Sequence, residues 1–362
     1  VDRDGNGVFG VNSLLVVALG ALGLAGFLVG LLLLVVHIKY TPVIVRIFAD
    51  APPMQPLRVE PQEGGEDVIF PAPDGVALAG TYFPCRTSER KGVIIFCHEY
   101  LSDRWSVQPY LGDLLNEGFD LFTFDFRGHG DSESEPGVAP IQWVSDRDVR
   151  DLEAAVAYLS SREDADPRGW GIFGISRGGG AAICLAAREP RIWGVVTDGA
   201  FGTRLTMYKY IVRWAEIYVP QRWMAEKMPH FVFHFAGWMG RRASEKRLRR
   251  RFLNVEDAVG KLAPRPWLSI HGEKDAYIGV EIARDLFDHG RSPKEFWVVP
   301  EAKHNRCREA DPEGYRSRLL DFYSRAVPGR AMALERRRSD LAPVQPREEL
   351  DVMTMVRDAA QA

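Results

Sequence analysis

One stretch constrains this chain more than any other: a short strand-like segment, Gly169 to Phe173 (GWGIF), runs through Gly174-Ile175-Ser176-Arg177-Gly178 into a helix-like segment, Gly180 to Arg188. A serine on so sharp a strand-to-helix turn is held at positive φ. Small residues two before and two after it let the neighbouring backbone pass. Such a turn requires a sheet whose strand ends open onto helices, and it presents the serine hydroxyl there, beside the free amides of the helix start. Those amides can stabilise a developing negative charge.

A serine in this position is inert without a base, and the rest of the chain supplies one. Trp267 to His271 (WLSIH) reads as a strand, and the turn after it, Gly272-Glu273-Lys274-Asp275, places Asp275 just past a strand end. Phe296 to Val299 (FWVV) reads as the next strand and runs through Pro300 to Lys303 into His304. In this arrangement His304 takes the serine proton as general base and returns it to the leaving group. Asp275 fixes the imidazole tautomer and stabilises the imidazolium. Asp198, at another strand end near the serine, is the rival acid, but the Asp275 turn has the better position and spacing.

The upstream half agrees. Lys91 to Cys97 (KGVIIFC) is a buried-strand pattern ending in His98-Glu99-Tyr100, and Phe119 to Phe126 (FDLFTFDF) is another, closed by Arg127-Gly128-His129-Gly130-Asp131-Ser132. With GxSxGG, the HGxxD turn and the late histidine, these residues resemble the α/β-hydrolase superfamily, in particular its serine-aminopeptidase and monoacylglycerol-lipase-like branch. The resemblance covers Glu66 to Val327, about three quarters of the chain. It implies an α/β-hydrolase fold, and a triad in the order Ser176, Asp275, His304. It also implies an oxyanion hole made by the backbone amides of Arg177 and Tyr100. The glycine usual after the loop histidine is Glu99 here, which puts a carboxylate where it can face the substrate. His98 is expected to buttress its loop, His129 and Asp131 to build a structural turn, and His271 to pack at a strand end.

The order of elements fits an α/β fold. Asp67 to Phe70 and Val76 to Phe83 read as a pair of strands around the Asp74-Gly75 turn. Strands at 91–97, 119–126, 169–173 and 193–198 then alternate with helices near 105–117, 142–161 and 177–188. This alternation predicts a mostly parallel sheet with helices on both faces and active residues at the carboxyl ends of its strands. Between Ala200 and Ala263 the rhythm breaks for about 60 residues dense in aromatics, from Tyr208 to Trp238. An insertion here is expected to form a helical cap, with Trp214 and Trp223 as candidate lining of an apolar acyl pocket.

Leu14 to Val36 is an unbroken run of apolar residues and glycines, long enough for one helix to cross the roughly 30 Å of a bilayer core. It is longer than a signal-peptide core, and no small-x-small cleavage site follows, so a single transmembrane anchor is expected. Lys39 and Arg46 after the span, against Arg3 before it, favour a cytoplasmic catalytic domain. The expected organisation is a stub over 1–13, the span over 14–36, a proline-rich extended linker over 37–65, the hydrolase domain over 66–327 and a charged flexible tail over 328–362. Arg241 to Arg251 holds seven basic residues and one acidic. It reads as a solvated helical face or a contact for anionic lipid.

A net charge of −3 argues against nucleic acid as a partner. The four cysteines lack CxxC or metal spacing, with Cys97 and Cys184 falling in segments expected in the core. HExxH is absent, so neither a metal nor a cofactor is expected. The expected activity is hydrolysis of a carboxylic ester or thioester of an apolar acyl group. A serine peptidase or amidase is the alternative, and a catalytically silent membrane-linked binding protein is the reading from another class.

Overall fold

The computed structural model describes residues 6–49, 55–219 and 222–329. The expected tail beyond Gly329 and the first five residues of the stub lie outside them.

The chain opens with α1 (Asn6–Ala49), 44 residues long. The extended linker expected from His37 is therefore helical up to Ala49, with Pro42 inside it. An interior proline costs a helix about 3 kcal/mol. Tertiary packing outweighs that here, because Val36, Thr41, Ile44, Val45 and Phe48 are buried at helical spacing.

An eight-stranded sheet follows, in the spatial order β1-β2-β4-β3-β5-β6-β7-β8. Its strands are β1 (Glu66–Pro71), β2 (Ala77–Phe83), β3 (Gly92–Cys97), β4 (Phe119–Phe124), β5 (Trp170–Ile175), β6 (Ile192–Asp198), β7 (Trp267–Gly272) and β8 (Lys294–Val299). β2 runs antiparallel to β1 and β4, and the remaining pairs are parallel. Strands β3 to β7 are buried at every position, which is why they read as continuous apolar runs instead of alternating ones.

The helices after α1 are α2 (Val107–Leu111), α3 (Asp146–Ser161), α4 (Arg177–Ala186), α5 (Thr203–Tyr218), α6 (Arg222–Glu226), α7 (His230–Leu248), α8 (Val255–Val259), α9 (Val280–His289), α10 (Cys307–Ala310) and α11 (Pro312–Ala326). The single helix expected near 105–117 is instead α2 flanked by two 3-10 turns. One face of the sheet is covered by α3, α4, α8 and α9 around Ile95, Ile172 and Val195. The other is covered by α2 and α11 around Phe96, Phe173 and Val196. A third apolar cluster joins α1 to α5 and α7, through Ile44 and Phe48 on one side and Ile211, Val232 and Phe233 on the other.

Parallel strands end together, so β5, β6, β7 and β8 deliver the residues that follow them to one edge. The register pairs Ile175 with Asp198, Asp198 with Ile270, and Gly272 with Val299. Ser176, Gly199, Glu273 and Pro300 therefore leave the sheet side by side.

Candidate active site

Ser176 lies between β5 and α4 at φ 50° and ψ −116°, a strained conformation for a residue with a side chain. The tightness of the turn explains its glycines. A Cβ on Gly174 would lie 2.5 Å from the carbonyl oxygen of Gly178, and one on Gly178 would lie 2.5 Å from that of His98. The Ser176 amide donates to the carbonyl of Asp198 at 2.8 Å, tying the turn to the end of β6. Behind it the buried Arg177 guanidinium donates to Asp148 on α3 at 2.9 Å and lies over the Phe126 ring.

The serine Oγ lies 3.0 Å from Nε2 of His304, and Nδ1 of His304 lies 2.5 Å from Oδ2 of Asp275. The other Asp275 oxygen accepts from the amides of Tyr277 at 2.9 Å and Ile278 at 2.8 Å. These bonds aim the carboxylate at the imidazole. The loops carrying Asp275 and His304 are also joined: Lys274 N donates to Ala302 O at 2.8 Å, and Glu301 N to the Glu273 carboxylate at 3.1 Å. His271 is buried beneath Asp275, with Nε2 2.8 Å from the Ile278 carbonyl and 3.4 Å from Oδ2 of Asp275. Burial lowers its pKa, which keeps the imidazole neutral so that Nε2 donates to that carbonyl.

Asp198 takes another role. Its buried carboxylate accepts from the Tyr315 hydroxyl at 2.9 Å, and burial pushes its pKa up to about 6. It faces α11 while Asp275 holds the histidine.

The amides of Arg177 and Tyr100 donate to no acceptor among the described residues. An unpaired amide at a helix start beside a serine hydroxyl is available for an oxyanion. The loop carrying Tyr100 is pinned by His98, whose Nδ1 lies 2.7 Å from the Glu99 carbonyl while Nε2 accepts from Phe126 N at 3.1 Å. Burial holds the His98 pKa well below its ordinary value, so the ring is neutral and serves both bonds at once. His129 stacks edge-on against it, and burial, then the Arg177 charge, lower its pKa to about 3.

Glu99 is buried beside His304, but its carboxylate is turned onto protein donors, accepting from Leu57 N at 2.9 Å and from the Asn305 side chain. Burial raises its pKa against the pull of those donors. A small cleft of about 50 Å³ opens there, lined by Gln55, Leu57, Glu99, Tyr277, His304 and Asn305 among others. Leu57, Tyr277 and Asn305 escaped the sequence reading. Only Asn305 left a trace, since asparagine tolerates the positive φ of 55° it adopts.

The two tryptophans are not in this cleft. Trp214 lines a separate apolar cavity of about 70 Å³ between α1, α5 and α7, and Trp223 is 61% exposed. The reason is α1: its helical extension covers the aromatic face of the insertion, so Trp214 packs towards Val36, Tyr40 and Ile44. The link from Trp214 to the triad is indirect, through Tyr210 stacked on it at 5.8 Å and the Tyr210 hydroxyl donating to the carbonyl of Tyr277.

The strand order and the strained serine turn define an α/β hydrolase. Residues 88–311 match the model of the serine aminopeptidase S33 family, and the chain belongs to that family of hydrolases. It is similar to the uncharacterized protein YfhR of Escherichia coli K12, with 23% identity over 72% of this chain and 81% of the relative. A similar match, 26% identical over 71% of this chain and 76% of the relative, is the uncharacterized protein Rv2307c of Mycobacterium tuberculosis. Among solved structures, the Pyrococcus furiosus esterase Pf2001 shares the fold at 24% identity and a TM-score of 0.56, over 77% of this chain and 100% of that one. The α/β hydrolase GrgF of Penicillium shares it at 20% identity and a TM-score of 0.54, over 73% and 99%.

Proposed function

We propose that this hydrolase is a membrane-anchored serine esterase that cleaves a carboxylic ester or thioester of an apolar acyl group through an acyl-enzyme. The observation that carries the proposal is the unbroken relay from Ser176 Oγ through His304 to Asp275, with the serine at positive φ. In the first step Oγ attacks the substrate carbonyl and His304 Nε2 takes its proton. The C–O or C–S bond then breaks, and the leaving group departs with that proton. Water repeats the sequence on the acyl-serine, releasing the acid and restoring Ser176. The Arg177 and Tyr100 amides bind the oxyanion in both steps, while Asp275 holds the imidazolium in orientation.

The ester reading draws support from the esterases among proteins of the same fold. The family description names aminopeptidases, and peptide or amide cleavage is the second reading. The same triad serves both, with the leaving group as the difference. Leu14 to Val36 acts as the anchor, and Lys39 and Arg46 beyond it favour a cytoplasmic catalytic domain.

Wild-type protein should react with a fluorophosphonate probe and hydrolyse p-nitrophenyl esters. Ser176→Ala should abolish labelling and lower turnover by a factor on the order of 10⁶. Labelling that persists on another serine would refute the assignment, and cleavage of aminoacyl anilides without ester turnover would favour the peptidase.

A further inference from the structure

From Leu15 to Leu31 every residue of α1 is exposed. At 1.5 Å per residue this uncovered stretch is about 25 Å long. A bilayer core of roughly 30 Å takes about 20 helical residues, so a span beginning at Leu15 runs a few residues further. Contact with the rest of the protein begins at Leu32 and Leu33, and Val36 is already buried. The last turn of the apolar span is thus already in contact with the insertion.

The part of the insertion nearest that turn is the corner between α5 and α6: Tyr218, Val219 and Met228 line one cavity together with Val36. The same corner carries the side chains a water-soluble surface avoids. Ile217 is 68% exposed, Tyr218 52%, Trp223 61% and Met224 38%. Among the described residues outside α1, the exposed large apolar side chains lie between Ile217 and Trp238, apart from Ile69 and Tyr277. An apolar patch so concentrated marks a contact surface. A basic residue follows the span where a membrane surface favours one, since Lys39 comes three residues after Val36.

We propose that the α5–α6 corner, through Ile217, Tyr218, Trp223 and Met224, is a second membrane-contacting element that enters the leaflet from which α1 emerges. The inference rests on the reading of α1 as a membrane span. Tyrosine and tryptophan suit the interface, where an apolar ring meets lipid and its polar group meets water. His37 and Lys39, the first polar residues past the span, then lie at the level of the headgroups. Two attachments instead of one fix how the catalytic edge of the sheet faces the bilayer.

The test uses the full chain with Cys85, the half-buried native thiol, replaced by serine; the other three cysteines are buried. Single cysteines at Ile217, Trp223, Leu24 and Glu163 are labelled with the fluorophore NBD, and each protein is reconstituted into phosphatidylcholine–phosphatidylglycerol vesicles. Retained fluorophosphonate labelling reports an intact fold. Probes at 217 and 223 should emit to the blue and be quenched several-fold more by lipids carrying a shallow doxyl group than by aqueous iodide. A probe at the exposed Glu163 should show the reverse. Probes at 217 and 223 that follow the 163 pattern, while 24 is quenched from mid-bilayer, overturn the proposal and leave the anchor standing. If 24 is also reached by iodide, the anchor reading fails and this inference with it. Shielding of 217 and 223 from both quenchers would mean that a second copy of the chain covers the corner.

Discussion

Asp275 and Asp198 are two carboxylates at neighbouring strand ends, and their partners separate their roles. Asp275 is bonded to the imidazole and two amides, Asp198 to a tyrosine hydroxyl. Asp275→Asn should lower kcat by about 10⁴-fold, as expected of an imidazole held in the wrong tautomer, while Asp198→Asn should change it only a few-fold. Steady-state kinetics on a p-nitrophenyl ester decide between them, and reversed effects would move the acid to β6. His129 gives a pH signature of a different kind. Its folded pKa of about 3 lies below an unfolded value near 6.5, so folding excludes a proton that the unfolded chain binds. Its contribution to stability is therefore complete above pH 6.5 and is lost as the pH falls from there towards 3. Between pH 6 and 4 the stability of His129→Gln should fall less steeply than wild type, by up to about 1.4 kcal/mol per pH unit, measured by denaturant unfolding at each pH.

α1 is the element whose role changes most between sequence and structure. From Leu15 to Leu31 it is exposed all round, whereas from Val36 it carries a buried stripe against α7. Gly240 lets the two helices approach so closely that a Cβ there would meet the Ile44 side chain. Phe48 is fully buried and packs edge-on against Trp143 at 5.3 Å. Phe48→Ala should destabilise the protein by about 3–5 kcal/mol through lost burial and a residual cavity. Thermal unfolding in detergent measures this. A loss below about 1 kcal/mol would mean that the helix is only loosely docked.

The whole molecule is a sheet with Ser176, His304 and Asp275 at one edge and a long apolar helix docked against its insertion. Where the chain is cut therefore matters. Removing residues 1–31 takes away the uncovered part of α1 and keeps Leu32 to Ala49 on their partners. That variant should leave the membrane fraction, remain monodisperse and keep fluorophosphonate labelling. Removing residues 1–49 strips α5 and α7 of the helix that covers Ile211, Val232 and Phe233. It should aggregate or melt at a clearly lower temperature, read by size-exclusion chromatography and thermal unfolding. Equal behaviour of the two truncations would show that α1 contributes nothing beyond attachment.

The strands, their mostly parallel order and the three residues of the relay were legible because each is written locally. A fully buried strand needs a continuous apolar run, a turn at positive φ needs glycines around it, and a residue just past a strand end must lie at the sheet edge. The sequence alone therefore determined the fold, the family and the candidates Ser176, Asp275 and His304. What it left open depends on contacts between distant segments that no local pattern encodes. Leu57 reaches Glu99 across 42 residues and Asn305 reaches it across 206, and these two bonds turn the carboxylate away from a simple substrate-facing position. The helix after Val36 persists through Pro42 only because α7 lies against it, and that same contact diverts Trp214 into a cavity with α1. Tertiary structure decided these points, because burial against a partner outweighs local preference wherever the partner comes from elsewhere in the chain.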